Sequence, residues 1–173
     1  MIPSRLQLIE FHSAPVIMHM EETSGVKIFP PLIHAAAIAI GFLIEWAVPV
    51  RIGGSAFGIV RITGCILLAI AVALIGSAAK VMFGAGTTPN PTRPSTVIVT
   101  SGPFQFTRNP MYLAWELICI GVGLAANALW PIIMAVPAAI VTRRLVIDKE
   151  ERYLDQKFGA AYHDYKSRVR RWV

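Results

Sequence analysis

The chain has 173 residues, 55% of them hydrophobic and 15% charged, with a mean hydropathy of +0.59. A soluble domain of this length could not bury that much apolar surface, so the composition selects a membrane protein. The net charge of +6 would suit nucleic acid in a soluble protein, but here the basic residues flank apolar runs, as anionic headgroups and the positive-inside rule require. No nucleic-acid partner is expected.

Residues 1–27 do not read as a signal peptide, because Glu10, His12, Glu21 and Glu22 interrupt the apolar positions. Leu6, Ile9, Val16, Ile17 and Met20 recur near helical period, which reads as an interfacial arm on the membrane surface or a loosely ordered one. Residues 28–50 form the first span, opened by Pro30-Pro31 and closed by Pro49. At 1.5 Å per residue the run is long enough for the ~30 Å apolar layer. Glu45 near its far end is expected to snorkel to the interface, and His34 to be a polar bundle contact. After a turn at residues 51–55, a second span runs over residues 56–83. Gly58, Gly64, Gly76 and Ser77-Ala78-Ala79 would let neighbouring helices approach closely.

Residues 84–107 are the long polar connection, stiffened by Pro89, Pro91 and Pro94. Loops of this length are usually functional or disordered. The third span covers residues 110–128 and the fourth residues 130–147, with a tight break at Asn127 and Pro131 suited to a C-cap and a helix start. Glu116 is the intramembrane residue most in need of a partner. Cys65 and Cys119 both lie in apolar runs, so neither a disulfide nor a metal site is expected. Residues 148–173 complete the chain as an amphipathic, aromatic-rich segment after a break at Gly159. Glu150 follows Arg143 by seven residues and Glu151 follows Arg144 by seven, so each pair should share a helix face.

The result is an all-α integral membrane bundle of about four transmembrane helices, residues 28–147, with a cytoplasmic C-terminal helical segment. Arg5, Lys27, Lys80, Arg93, Arg108, Arg143, Arg144 and the basic C-terminus fall on one side, and Arg51 and Arg61 on the other. That asymmetry places both termini and the 84–108 loop in the cytoplasm, in a multi-pass protein of a bacterial inner membrane.

Two stretches carry chemistry. In Ser101-Gly102-Pro103-Phe104-Gln105-Phe106-Thr107-Arg108-Asn109-Pro110-Met111-Tyr112 the chain turns and enters a helix at Pro110. Downstream stand Glu150-Glu151, Leu154 and Phe158-Gly159-x-x-Tyr162-x-x-Tyr165. The third and fourth spans form a hairpin, so the entry of one neighbours the exit of the other. A cytosolic cofactor could dock there while a lipophilic substrate arrives from the bilayer.

Over residues 96–169 this pattern resembles the integral-membrane methyltransferases of the isoprenylcysteine carboxyl methyltransferase and phospholipid N-methyltransferase type. Their motifs are a Gly-x-aromatic turn, an Arg-His-Pro-x-Tyr helix entry, a Glu-Glu pair and Phe-Gly-x-x-Tyr-x-x-Tyr. The resemblance implies S-adenosylmethionine as cofactor and methyl transfer to a lipophilic small molecule or lipid-anchored acceptor. It places cofactor binding on Thr96, Val97, Ile98, Val99, Phe104, Asn109, Pro110, Met111, Tyr112, Glu150 and Glu151, with no metal. Asn109 stands where the family has histidine; it can donate a hydrogen bond but cannot titrate. Prenylcysteine members hold the substrate carboxylate with an arginine whose slot is Val146 here. Asn109 and Arg144 are the candidate catalytic residues, with Arg108 and Arg143 also near enough to hold an anionic acceptor. Two other classes share parts of the pattern: NADPH-dependent sterol-type membrane reductases, and non-enzymatic membrane proteins that bind a lipid or partner.

Overall fold

The computed structural model describes residues 23–172, so most of the expected N-terminal arm lies outside the described residues. All regular structure among them is helical: α1 (Pro30–Ala47), α2 (Phe57–Gly84), α3 (Pro110–Ala125), α4 (Leu129–Thr142), α5 (Asp148–Phe158) and α6 (Ala160–Arg168). Extended Phe29 precedes α1, and Pro30-Pro31 fill its first positions, where a missing N–H leaves nothing unpaired. α3 packs against both α2 and α4, and α1 lies against α4 and the near side of α3.

Small residues set the helix spacing. α2 buries only Gly64, Ala71 and Ala78, one residue every two turns, which is a single narrow seam. A Cβ on Gly64 would stand 2.5 Å from the Ala125 amide nitrogen and 2.7 Å from the Gly121 carbonyl. The glycine is therefore what allows α2 and α3 to touch backbone to backbone. Gly41 does the same for α1 and α4 at Pro131. The outward faces carry Leu32, Leu43, Ile59, Ile62, Val72, Val136 and Ile140, all exposed. Water would not tolerate such a belt, whereas hydrocarbon would.

Among the described residues, three helices are long and apolar enough to cross a membrane: Pro30–Ala47, Gly54–Gly84 and the continuous Leu129–Phe158. α3 is apolar but shorter, 16 residues, or about 24 Å. The helix of the fourth span continues past residue 147, as the expected pairing of residues 143 and 144 with 150 and 151 requires. α4 passes through a π-helical turn, Arg143–Ile147, directly into α5, because the sequence offers no glycine or proline between Pro137 and Gly159. Gly159, at φ +50°, ends the run. A helix of 30 residues is about 45 Å long against an apolar layer of ~30 Å. Its charged last turns, α5, therefore stand clear of the membrane. The π turn widens the helix between the positions expected to pair; Arg143 and Arg144 are exposed, while Glu151 finds partners on other segments.

Several polar groups inside the bundle are paired, while Thr142 Oγ1 of α4 is buried without a partner among the described residues. Glu116, on α3, meets His34 Nε2 of α1 at 2.8 Å, and His34 Nδ1 faces the Pro30 carbonyl at 3.2 Å. Since a carbonyl only accepts, the His34 ring donates there through Nδ1, leaving Nε2 to face the Glu116 carboxyl. Glu45 is buried rather than snorkelling. Its Oε1 accepts from the Val50 amide at 2.7 Å and its Oε2 from the Leu129 amide at 3.1 Å. The carboxylate thus satisfies the open N-terminus of α4, a contact 84 residues away in sequence. Asn127, at φ +55°, closes the α3–α4 hairpin as the sequence implied. Its Oδ1 also accepts from the amides of Ile52 and Gly53 at 2.9 and 2.8 Å.

Candidate active site

The start of α1, the end of α2, the start of α3 and the α5 extension meet at one end of the bundle. They enclose a cavity of about 310 Å³, at the lower end of the ~300–1,000 Å³ typical of small-molecule sites. Phe29, Pro30, Pro31, Met82, Phe104, Met111 and Trp115 give it apolar walls, and Pro89, Asn90 and Pro91 of the long loop close one side. Asn109, Tyr112 and Glu150 are the polar side chains on the lining besides Asn90.

Pro110 starts α3 and Tyr112 follows in its first turn. The Tyr112 hydroxyl donates to Glu150 Oε2 at 2.7 Å, fixing the carboxylate from the opposite helix. Burial pushes the Glu150 carboxyl up to about 7; the Tyr112 hydrogen bond opposes this and the neighbouring Glu151 adds to it. A carboxylate so poorly solvated gains most from a cation placed beside it.

The long loop is tied down rather than free. Thr96 Oγ1 donates to the Gly86 carbonyl at 2.9 Å, the Ser95 amide to the Tyr153 hydroxyl at 3.2 Å, and Ser24 Oγ to the Pro91 carbonyl at 2.6 Å. At the helix entry, Gly102 (φ +60°) turns the chain into a short 3₁₀ segment, Gly102–Gln105. There the buried Phe104 has its carbonyl held by the Tyr165 hydroxyl at 2.7 Å.

The last residues fold back over this entry. The Arg108 amide donates to the Arg170 carbonyl at 3.0 Å, and both Thr107 Oγ1 and Asn109 Nδ2 donate to the Arg171 carbonyl at 3.0 Å. The Arg171 guanidinium grips Glu151 through Nε and Nη2, at 3.0 and 2.5 Å, and reaches Asp148 at 3.2 Å. Arg108 Nη2 adds a contact to Glu151 at 3.4 Å, while its buried Nε and Nη1 have no partner among the described residues.

The expected site residues therefore separate. Phe104, Asn109, Pro110, Met111, Tyr112 and Glu150 converge on the cavity. Thr96, Val97, Ile98 and Val99 do not line it, and Glu151 is occupied by Arg108 and Arg171. Arg144 is exposed on the π turn, away from the lining. The sequence did not single out Phe29, Met82, Trp115 or Asn90 as cavity walls, nor Arg171 as a tie. Trp115 lies one turn beyond Tyr112 on α3 and the others come from segments distant in the chain; none carries a local signature.

A family model for phospholipid methyltransferases matches residues 59–161. A Haemophilus influenzae protein, described only as uncharacterized, is 35% identical over 65 residues, which is 36% of this chain and all of that one. No solved structure matches the chain. The family match takes in α2, α3, α4 and Glu150, so the cavity's opposing Tyr112 and Glu150 both lie within it, and the chain belongs to the phospholipid methyltransferase family.

Proposed function

We propose that this protein transfers a methyl group from S-adenosylmethionine to a lipophilic, membrane-borne acceptor at the cytoplasmic face of a bacterial inner membrane. The observation that carries the reading is one poorly solvated carboxylate, Glu150, on the wall of an otherwise largely apolar cavity at the membrane-exit end of the bundle. That donor set suits a cofactor with cationic groups and a flat apolar ring system. Glu150 would hold an ammonium or the sulfonium, Tyr112 would keep the carboxylate aimed, and Phe104, Met111 and Trp115 would pack the ring. When bound, S-adenosylmethionine supplies a methyl group already activated by its sulfonium.

The protein's own task is then to bind, orient and exclude water. No protein nucleophile is needed, and neither Cys65 nor Cys119 lines the cavity. The family match supports this reading over the reductase and non-enzymatic alternatives. The test is transfer of labelled methyl from S-adenosylmethionine into a lipid extract by the purified protein. Label should enter the organic phase with wild type and fall strongly with Glu150→Ala; no transfer to any lipid class, with folded protein, would refute it.

A further inference from the structure

Asn109 lines the cavity, yet its amide nitrogen is committed elsewhere: it donates to the Arg171 carbonyl. The partner is a carbonyl, so the amide must present its N–H₂ and not its oxygen. Thr107 donates to the same carbonyl, and both donors are buried. Without the tail, both would be left unpaired in the interior. At its other end Arg171 holds Glu151 and Asp148 of α5. One residue therefore ties the entry of α3 to α5, and Glu151 is the immediate neighbour of Glu150.

We propose that Asn109 is a positioning residue acting through the C-terminal tail, and that Arg171 is its counterpart, clamping α5 so that Glu150 stays on the cavity wall. This rests on Glu150 being the carboxylate that receives the cofactor. The π turn just before α5 makes a clamp useful, because the rotation of α5 is no longer a simple continuation of α4. The tail lies beyond the segment matched by the family model.

The test combines two readouts on the full-length protein in detergent. Asn109→Ala and Arg171→Ala should each weaken S-adenosylmethionine binding about tenfold, and the double variant should be no weaker than either single one. Asn109→His offers an N–H at similar reach and should restore binding, whereas Asn109→Asp has no donor and should not. In the absence of any cofactor, both alanine variants should speed tryptic cleavage after Arg168 relative to wild type. Additive losses in the double variant, or a wild-type cleavage rate in Asn109→Ala, would overturn the proposal. If wild type itself binds no S-adenosylmethionine, the methyltransferase reading fails, and the clamp is decided by the cleavage rates alone. Should Asn109→Ala not fold, the His and Asp variants decide in its place.

Discussion

Replacing Glu150 by glutamine keeps the side-chain shape and an acceptor for the Tyr112 hydroxyl but removes the charge. If the carboxylate meets a cationic group of the cofactor, the lost charge-assisted hydrogen bond costs about 1.5–3 kcal/mol, or about ten- to a hundredfold in Kd. The pH dependence is the sharper signature. Burial holds the Glu150 carboxyl at about 7, and only the ionised form pairs with a cation. The ionised fraction is then about one tenth at pH 6 and about nine tenths at pH 8, so the apparent affinity should tighten about tenfold across that window. The effect on the unliganded fold has the opposite sign. A carboxyl whose folded pKa is raised contributes stability in its protonated form, and that contribution is lost as pH rises through about 7. Calorimetric titration at pH 6, 7 and 8, in buffers of different ionisation enthalpy, measures both affinity and the proton released on binding. Wild type should release a fraction of a proton near pH 7, and Glu150→Gln none. A wild-type Kd flat across the window, or a Glu150→Gln protein indistinguishable from wild type, would refute the assignment.

Other outcomes concern the bundle. Glu45→Ala strips the acceptor from the Val50 and Leu129 amides and should destabilise the protein by about 2–4 kcal/mol, read from unfolding in mixed detergent. Gly64→Leu forces side-chain atoms into the Ala125 and Gly121 backbone and should separate α2 from α3, at a cost of about 3 kcal/mol or more, visible as a lowered Tm. His34→Leu leaves the half-buried Glu116 carboxyl without its partner and should destabilise more than the double replacement His34→Leu/Glu116→Leu, again by unfolding midpoint. Cys65→Ala and Cys119→Ala should leave methyl transfer nearly unchanged, since no covalent intermediate is expected; loss of turnover in a folded variant would contradict that.

Helix positions were legible because prolines and glycines punctuate this chain. Pro30-Pro31, Pro110, Asn127 and Gly159 mark starts and stops where the structure has them. That one helix runs on through residues 143–151 was implicit in the heptad pairing, since no glycine or proline breaks the chain before Gly159. The π turn within that helix was not legible, having no composition of its own. Tyr112 and Glu150, which line the cavity, could be singled out because their motifs are local. The contacts that matter around them, Glu45 to α4, His34 to Glu116 and Arg171 to Asn109, join positions far apart in the chain. Periodicity along one helix cannot reveal which helix it faces.

The most direct measurement is mass spectrometry of small molecules retained by the protein after mild detergent extraction and purification. Wild type should carry S-adenosylmethionine or its demethylated product at a substantial fraction of one per chain, and Glu150→Ala should carry far less. A nicotinamide nucleotide in its place, or wild type that neither retains nor binds added S-adenosylmethionine, would contradict the assignment of the cavity.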